Sequence, residues 1–273
     1  MRILLTNDDG VHAPGLFALW EAISQVAEVG VVAPDRPRSA SGHSITLHKP
    51  LRVSTVRLAD GSPAYACTGT PSDCVALALR GVLPFTPDLV ISGINDGPNL
   101  GWDLTYSGTV SAAMEACMIG VPSIAISAVR MDDYPFVQDE PELVFAERTA
   151  TDFSAAARFA AHLALVLCEH RLPPFNLLNV NVPSIPANEL RGVKLTKQGI
   201  RKYVGELEKR IDPTGRTYYW MGGEKPEDVL DEGTDVSALH ARAISVTPIH
   251  MDLTAYPIMD ALHQWTHIEA FKG

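Results

Sequence analysis

The 273-residue chain carries 32 acidic against 22 basic side chains, a net charge of −10, which excludes a nucleic-acid duplex as its main partner. A phosphate-bearing ligand stays open only if a metal or a local anion site offsets that repulsion. At 46% hydrophobic and 20% charged residues the composition is globular rather than disordered, with enough chain for one large domain and an appendage.

The first elements alternate. Residues 2–6 read as a short buried strand, and 13–27 as a helix with Pro14 in its first turn and Leu16, Leu19, Trp20, Ile23 and Val26 at helical spacing. A second buried strand, VGVVAP, follows at 29–34. Strand, helix and strand with continuous apolar strands imply a parallel sheet, since a half-exposed sheet would alternate. Residues 71–83 read as a helix, with Ser72 and Asp73 favouring its first turn. PDLVISG at 87–93 and PSIAIS at 122–127 are later central strands, flanking a small-residue helix over 109–119. A long Ala-rich helix is expected over 141–169, and a further strand over 175–183. That helix contains Glu147, Arg148, Asp152 and Arg158, so it cannot span a bilayer, and no membrane association is expected.

After about residue 185 the character changes. From Gly199 to Asp235 the chain is polar, with DPTGRTYYW at 212–220 reading as a hairpin turn and an aromatic strand; Asp212 and Asp235 are expected to be solvated. A strand returns at 241–249, and Ala255–His267 reads as a short terminal helix or arm. The expected fold is thus an α/β, Rossmann-like three-layer core with a mostly parallel sheet over 1–190. A β-rich oligomerisation extension over 191–273 completes it, its 241–249 strand able to rejoin the core. A hairpin with little core of its own packs on a neighbour, so an oligomer is expected. Cys67, Cys74, Cys117 and Cys168 lack CxxC spacing and the density of a disulfide scaffold, and the N-terminus has no signal-like apolar stretch; both point to a cytoplasmic protein with reduced thiols.

In open parallel sheets ligands bind beyond the carboxyl ends of the strands. Three such ends carry Gly, Ser, Asn and Asp together: Asn7-Asp8-Asp9-Gly10, APDRPRSASGHS (33–44) and SGINDGPNLGWDLTYSGT (92–109). Alone, Asp8-Asp9-Gly10 reads equally well as a β-turn; the three loops converging on one edge favour a ligand site. Two carboxylates with hydroxyl and amide oxygens, Ser39 and Asn95 among them, make a hard oxygen site suited to Mg²⁺ or Mn²⁺. Ser107-Gly108-Thr109 begins a helix and offers an anion site, or an ordinary cap. Trp102 and Tyr106 flank that loop, placed either to stack on a nucleobase or simply to pack. His12 and His43 border the edge in supporting roles. There is no GxxxxGK[ST] and no GxGxxG after the first strand, which removes support for ATP-loop and dinucleotide folds.

On ILLTNDDG, HAPG (12–15), VVAPDRPRSASGHSIT (31–46), GTPSDCV (69–75), PDLVISGINDGPNLG (87–101) and YSGTVSAAMEA (106–116), the chain closely resembles the SurE (survival protein E) family of metal-dependent nucleotidases. The resemblance implies a Rossmann-like core and a C-terminal hairpin and arm exchanged between subunits of a homodimer or homotetramer. It also implies one divalent metal per subunit, held by Asp8, Asp9, Ser39 and Asn95. The chain departs from the family pattern at Asp96, where a small residue is common.

The activity so implied is phosphomonoester hydrolysis of nucleoside 5′- and 3′-monophosphates, with hydrolysis of short polyphosphate left open. Asp8 and Asp9 would be the catalytic pair, with Asn99, Ser107, Gly108 and Thr109 holding phosphate. The main alternatives are a receiver-type Mg²⁺-binding signalling module and a non-catalytic nucleotide-binding module. A receiver needs an acceptor Asp at a later strand end and a Lys beyond it, whereas here the later strand ends Ser-Gly-Ile-Asn and PSIAIS is followed by no Lys. A haloacid-dehalogenase-like reading fails because Asp8-Asp9 lacks DxD spacing.

Overall fold

Apolar runs that continue without alternation become strands covered on both faces, and they order the whole molecule. The computed structural model describes residues 1–131, 150–203, 207–220 and 226–265. In chain order the first half gives β1 (Arg2–Thr6), α1 (Pro14–Ile23), β2 (Glu28–Pro34), β3 (Val53–Arg57), β4 (Pro63–Cys67), α2 (Pro71–Leu77) and β5 (Leu89–Asp96). Then come α3 (Gly108–Ile119), β6 (Ser123–Val129), α4 (Ser154–Glu169) and β7 (Asn176–Pro183). The remainder supplies β8 (Val193–Leu195), β9 (Ile200–Lys202), β10 (Glu208–Ile211), β11 (Thr217–Trp220), β12 (Glu227–Val229), α5 (Asp235–His240), β13 (Ile244–His250) and α6 (Tyr256–His263).

Nine strands form one sheet in the order β3-β4-β2-β1-β5-β6-β7-β13-β8. The run from β4 to β7 is parallel; β3 joins β4 antiparallel at one edge, and β13 joins β7 antiparallel at the other. Two strands from beyond residue 190, β8 and β13, therefore complete the sheet, while β9 pairs with β12 and β10 with β11 outside it. Helices cover both faces. On one, α1 and α4 close over Ile3, Leu5, Ile91, Ile124 and Val180; on the other, α2 and α3 close over Leu4, Val32 and Val90. This is the three-layer α/β fold that the strand pattern implied.

Several expectations need adjusting. The first helix stops at Ile23, so Val26, aligned with it by spacing, lies beyond its end and is partly exposed. The helix of 71–83 is capped by Thr70 in a reciprocal capping box with Asp73, ends as an α-helix at Leu77 and continues as a wider turn over Ala78–Val82. The long helix begins at Ser154, whose N–H donates to Asp152 Oδ1; residues 141–149 of that expected helix lie outside the described residues. Strands β3 and β4 had no forecast. Their alternation is interrupted by exposed Ser54 and Thr55 and by Pro63, so no clean period survives in the sequence.

Gly15, in the first turn of α1, is pressed against β5: a Cβ there would lie 2.0 Å from the carbonyl oxygen of Ile94. Backbone cannot yield as a side-chain tip can. Gly15→Ala is therefore expected to destabilise the protein by at least about 2–3 kcal/mol, as a forced overpacking. A fall in thermal midpoint of several degrees by calorimetry would bear this out, and an unchanged midpoint would refute the close packing of α1 on β5.

Candidate metal and phosphate site

The chain runs from β1 outward to β2 and later returns on the opposite side of β1 as β5, so the strand order reverses between β1 and β5. A crevice opens at such a reversal, beyond the strands' carboxyl ends. Asp8 and Asp9 stand there.

The turn that presents them is built by Asn7, which is fully buried. Its Oδ1 accepts from the N–H of Gly10 at 3.1 Å, and its Nδ2 donates to the carbonyl of Gly10 at 3.0 Å. Gly10 takes a left-handed φ of 101°, and a Cβ on it would meet the backbone of Arg36 at 3.3 Å. The side chain of Asn7 thus closes the turn from inside, a role no spacing rule reveals.

The other two loops converge on this turn. Arg38 N–H donates to the carbonyl of Asp8 at 2.7 Å, which brings the segment containing exposed Ser39 alongside. Gly42 N–H donates to Tyr106 O at 3.1 Å, joining that segment to the third loop. The far end of the second loop is anchored on α2: Thr46 donates to Asp73 through both its N–H and its hydroxyl, and Thr70 donates to Ser44 O. His43 reaches Glu115 on α3 at 3.1 Å, a supporting contact, while His12 is exposed.

Helix α3 starts against Asp8. Ser107 is its N-cap, accepting from Val110 N–H at 3.1 Å, and Thr109 donates its hydroxyl to Asp8 Oδ1. Gly108 is required by closeness, since a Cβ would lie 2.7 Å from that of Asp8. Burial pushes the Asp8 carboxyl above its ordinary range, and hydrogen bonds from Thr109 and from backbone N–H groups pull it partway back. Asp9 is pushed up to about 6 by burial and by the negative charge of Asp8; the N–H of Asp96 opposes this, and the Asp96 carboxylate adds to it. The Asp96 side chain itself turns elsewhere, accepting from Thr151 at 2.6 Å and lying 3.5 Å from Arg130.

Asn95 donates its Nδ2 to Gly97 O at 2.9 Å, which leaves its oxygen as the free end of the amide. Asn99 is buried and heavily engaged. Its Nδ2 donates to Ser127 at 2.8 Å, its N–H to Asn181 Oδ1, and its carbonyl accepts from Asn179 and Asn181. Trp102 and Tyr106 are exposed at 63% and 69%, so neither is packed inside.

Asp235 corrects an expectation. Instead of being solvated it is fully buried, and it accepts from the N–H groups of Gly101 at 2.8 Å, Gly199 at 2.7 Å and Val236 at 2.8 Å. Burial raises its carboxyl and the three N–H donors lower it. Asp212 is on the surface as expected, organising the β10–β11 turn through Thr214 and Arg216. A Thr-Asp pair opening a short helix at 234–235 was the one sequence cue to a capping environment there.

A hard divalent cation fits this donor set. Among the described residues no three His, Cys, Asp or Glu side chains converge, so two carboxylates must be completed by neutral oxygens. That is the pattern of Mg²⁺ or Mn²⁺ rather than of zinc. Moreover, the buried Asp8 carboxylate raises the proton affinity of half-buried Asp9, and a cation relieves the same repulsion. The buried hydroxyl of Ser41, close against Gly108, has no partner and is a further neutral oxygen at this edge.

Comparison with known proteins now has a geometry to attach to. A model of the family described as Survival protein SurE matches residues 3–205. The chain belongs to the SurE family. It is 50% identical over 266 residues to the 5′-nucleotidase SurE of Heliobacterium modesticaldum, covering 97% of this chain and 92% of that one. It is 48% identical over 265 residues to that of Chloroflexus aggregans, covering 97% and 99%. The crystal structure of the Sure protein from Aquifex aeolicus superimposes with a TM-score of 0.80 at 40% identity, over 97% of this chain and 100% of that one. SurE membership thus spans both the sheet and the C-terminal elements packed on it.

Burial and the charge of Asp8 push the Asp9 carboxyl up to about 6, so a proton and a cation brought to this edge would compete for it. Above that pH the cation-free protein carries a partly buried charge at a cost to stability; below it the proton removes the charge and its attraction for a cation. The rise in thermal midpoint on adding Mn²⁺ is therefore expected to be large at pH 7.5 and to shrink as pH falls through about 6. Scanning fluorimetry across pH 5–8 measures this, and a pH-independent rise would contradict it.

Proposed function

We propose that this chain is a divalent-metal-dependent 5′-nucleotidase, hydrolysing nucleoside 5′- and 3′-monophosphates and short polyphosphate. The observation that carries the reading is the adjacent carboxylate pair at the β1–β5 reversal, with the first turn of α3 packed directly on it. The metal, Mg²⁺ or Mn²⁺, is one per subunit and is held by Asp8, Asp9, Ser39 and Asn95; when bound it supplies positive charge to a phosphate oxygen and lowers the pKa of water.

The remaining work falls to the chain's own groups. Asp8 is the fixed ligand, its orientation set by the Thr109 hydroxyl. Asp9 is the more exposed of the two, which suits it to orient the attacking water. Ser107 and Gly108 stand at the positive start of a twelve-residue helix; the Ser107 N–H donates to Leu104 O and the Gly108 N–H to the Asp8 carboxylate, so the helix start draws phosphate by its positive end beside Asp8. Thr109 and Asn99 are already bonded to Asp8 and Ser127, so they hold that cradle in place around phosphate. A positive helix end so placed stabilises charge that grows on the oxygens as the P–O bond breaks. Trp102 and Tyr106 stand at the rim as contacts for the base.

No described helix is long and apolar enough to cross a membrane. Four free thiols, three of them buried, support a reducing compartment such as the cytoplasm. A homodimer or homotetramer is supported by the β10–β11 hairpin and α6, which bury nothing within the chain while exposing Tyr219, Trp220, Ile258 and Leu262.

Asp9→Asn is expected to fold normally and to lose at least about a hundred-fold in kcat on a nucleoside monophosphate, the cost of misplacing a reacting water. Retention of wild-type turnover with Mg²⁺ or Mn²⁺, with circular dichroism unchanged, would sink the assignment. For assembly, Tyr219→Asp with Trp220→Asp is expected to lower the mass measured by light scattering from that of an oligomer toward 29.5 kDa. A wild-type protein already monomeric would rule out the oligomer.

A further inference from the structure

The rim is the single turn Gly101–Thr105, which carries Trp102, followed by its cap residue Tyr106, which leads into the N-cap of α3. It has little hydrophobic footing of its own: within it only Gly101 and Leu104 are buried. Its position is instead set by polar contacts from a segment about a hundred residues later. Gln198 donates its Nε2 to Gly101 O at 3.1 Å, and Asp235 bridges the N–H groups of Gly101 and Gly199. Gly101 and Gly199 touch so closely that a Cβ on Gly101 would lie 2.6 Å from Gly199 O.

The outer half of the turn is held through Asp103. Arg201, on β9, donates Nη1 to Asp103 Oδ2 at 3.0 Å and Nε to Asp228 Oδ1 at 2.8 Å, with its side chain only 8% exposed. The Tyr203 hydroxyl donates to the same Asp103 oxygen. Asp228 lies on β12, the partner of β9, and its side chain is 1% exposed. One guanidinium therefore ties the rim turn to the two-stranded β9–β12 unit, using the fork geometry that a lysine lacks. Tyr203 is 65% exposed, so its ring faces solvent while its hydroxyl is anchored beside Trp102.

We propose that Arg201 and Tyr203 are positioning residues which, through Asp103, hold the Trp102–Tyr106 rim against the phosphate site and so set how tightly the base of a nucleoside monophosphate is bound. The ring of Tyr203, fixed by the same contact, extends that aromatic rim. This rests on the nucleotidase reading of the site and adds to it a determinant of substrate selection. An aromatic surface is worth most to a base when its geometry is settled before binding, because ordering it afterwards would subtract from the affinity. The chemistry at phosphorus lies at Asp8 and α3 and does not pass through Asp103. Weakening the clamp should consequently cost base recognition and leave phosphate handling intact.

The test compares adenosine 5′-monophosphate with ribose 5-phosphate, which keeps the phosphate and sugar and lacks the base. Tyr203→Phe removes one hydroxyl from an exposed ring, and Asp103→Asn removes the charge that Arg201 grips. Both are expected to raise KM for the nucleotide about five- to ten-fold, within the worth of one stacked base. Their kcat should stay within two-fold, and kcat/KM for ribose 5-phosphate should not change. Calorimetric affinities for both ligands with Mn²⁺ present are measured alongside. If the wild-type protein hydrolysed neither ester, the nucleotidase reading would fail, while a five- to ten-fold loss of nucleotide affinity alone would still support the clamp. Equal losses on both ligands, or no loss on either, would overturn it. Should Asp103→Asn fold poorly, Tyr203→Phe decides.

Discussion

Everything at this site depends on keeping a carboxylate, Asp8, almost out of water. A charge so placed is costly unless donors are already arranged around it. The arrangement here is a hydroxyl from Thr109, the start of α3, and a turn closed from within by Asn7 and Gly10. Each of these requires the sheet to be in register, because β1 and β5 must deliver their ends side by side before α3 can be laid across them. The apolar contacts of the three layers therefore do more than stabilise the fold: they fix where a residue that opposes folding is allowed to sit.

The C-terminal part takes the same logic to the opposite rim. Asp235 is a second buried acid, neutralised in effect by three main-chain N–H groups rather than by a cation. Asp103 and Asp228 share Arg201. A protein with net charge −10 has thus sorted its acids by role. Some bind backbone, some bind arginine, and Asp8 and Asp9 are left with neighbours that cannot discharge them.

How much of this was legible in the sequence follows from how local each cue is. The parallel core was readable because runs such as ILL, VGVV and LVIS need only their own residues to declare burial on both faces. The edge strand β3 and its neighbour β4 were not, since exposed Ser54, Thr55 and Pro63 break any period. The three site loops could be found because strand-end composition is a local signal, and Asp8 and Asp9 carry their charge in plain view. Asn7, Arg201 and Asp235 escaped for the opposite reason. Asn7 looks like any turn residue, and Arg201 and Asp235 are tied to the rim by partners 98 and 134 residues away. Asp235 was misjudged as solvated because its surroundings in the chain are polar, although its surroundings in space are main-chain N–H groups.

The distance in sequence between Gly101 and Asp235 also orders events in time. As the chain leaves the ribosome, β1, β2, β5, β6 and β7 can pair long before α5 and β13 exist. Through that interval β7 presents an unpaired edge, and the rim turn lacks the carboxylate that anchors Gly101. The acidic pair at the end of β1 is made more than two hundred residues before Asp235, which anchors the wall opposite it. A nascent chain can thus hold the half of the crevice proposed for the metal while the rim proposed for the base still lacks its anchor.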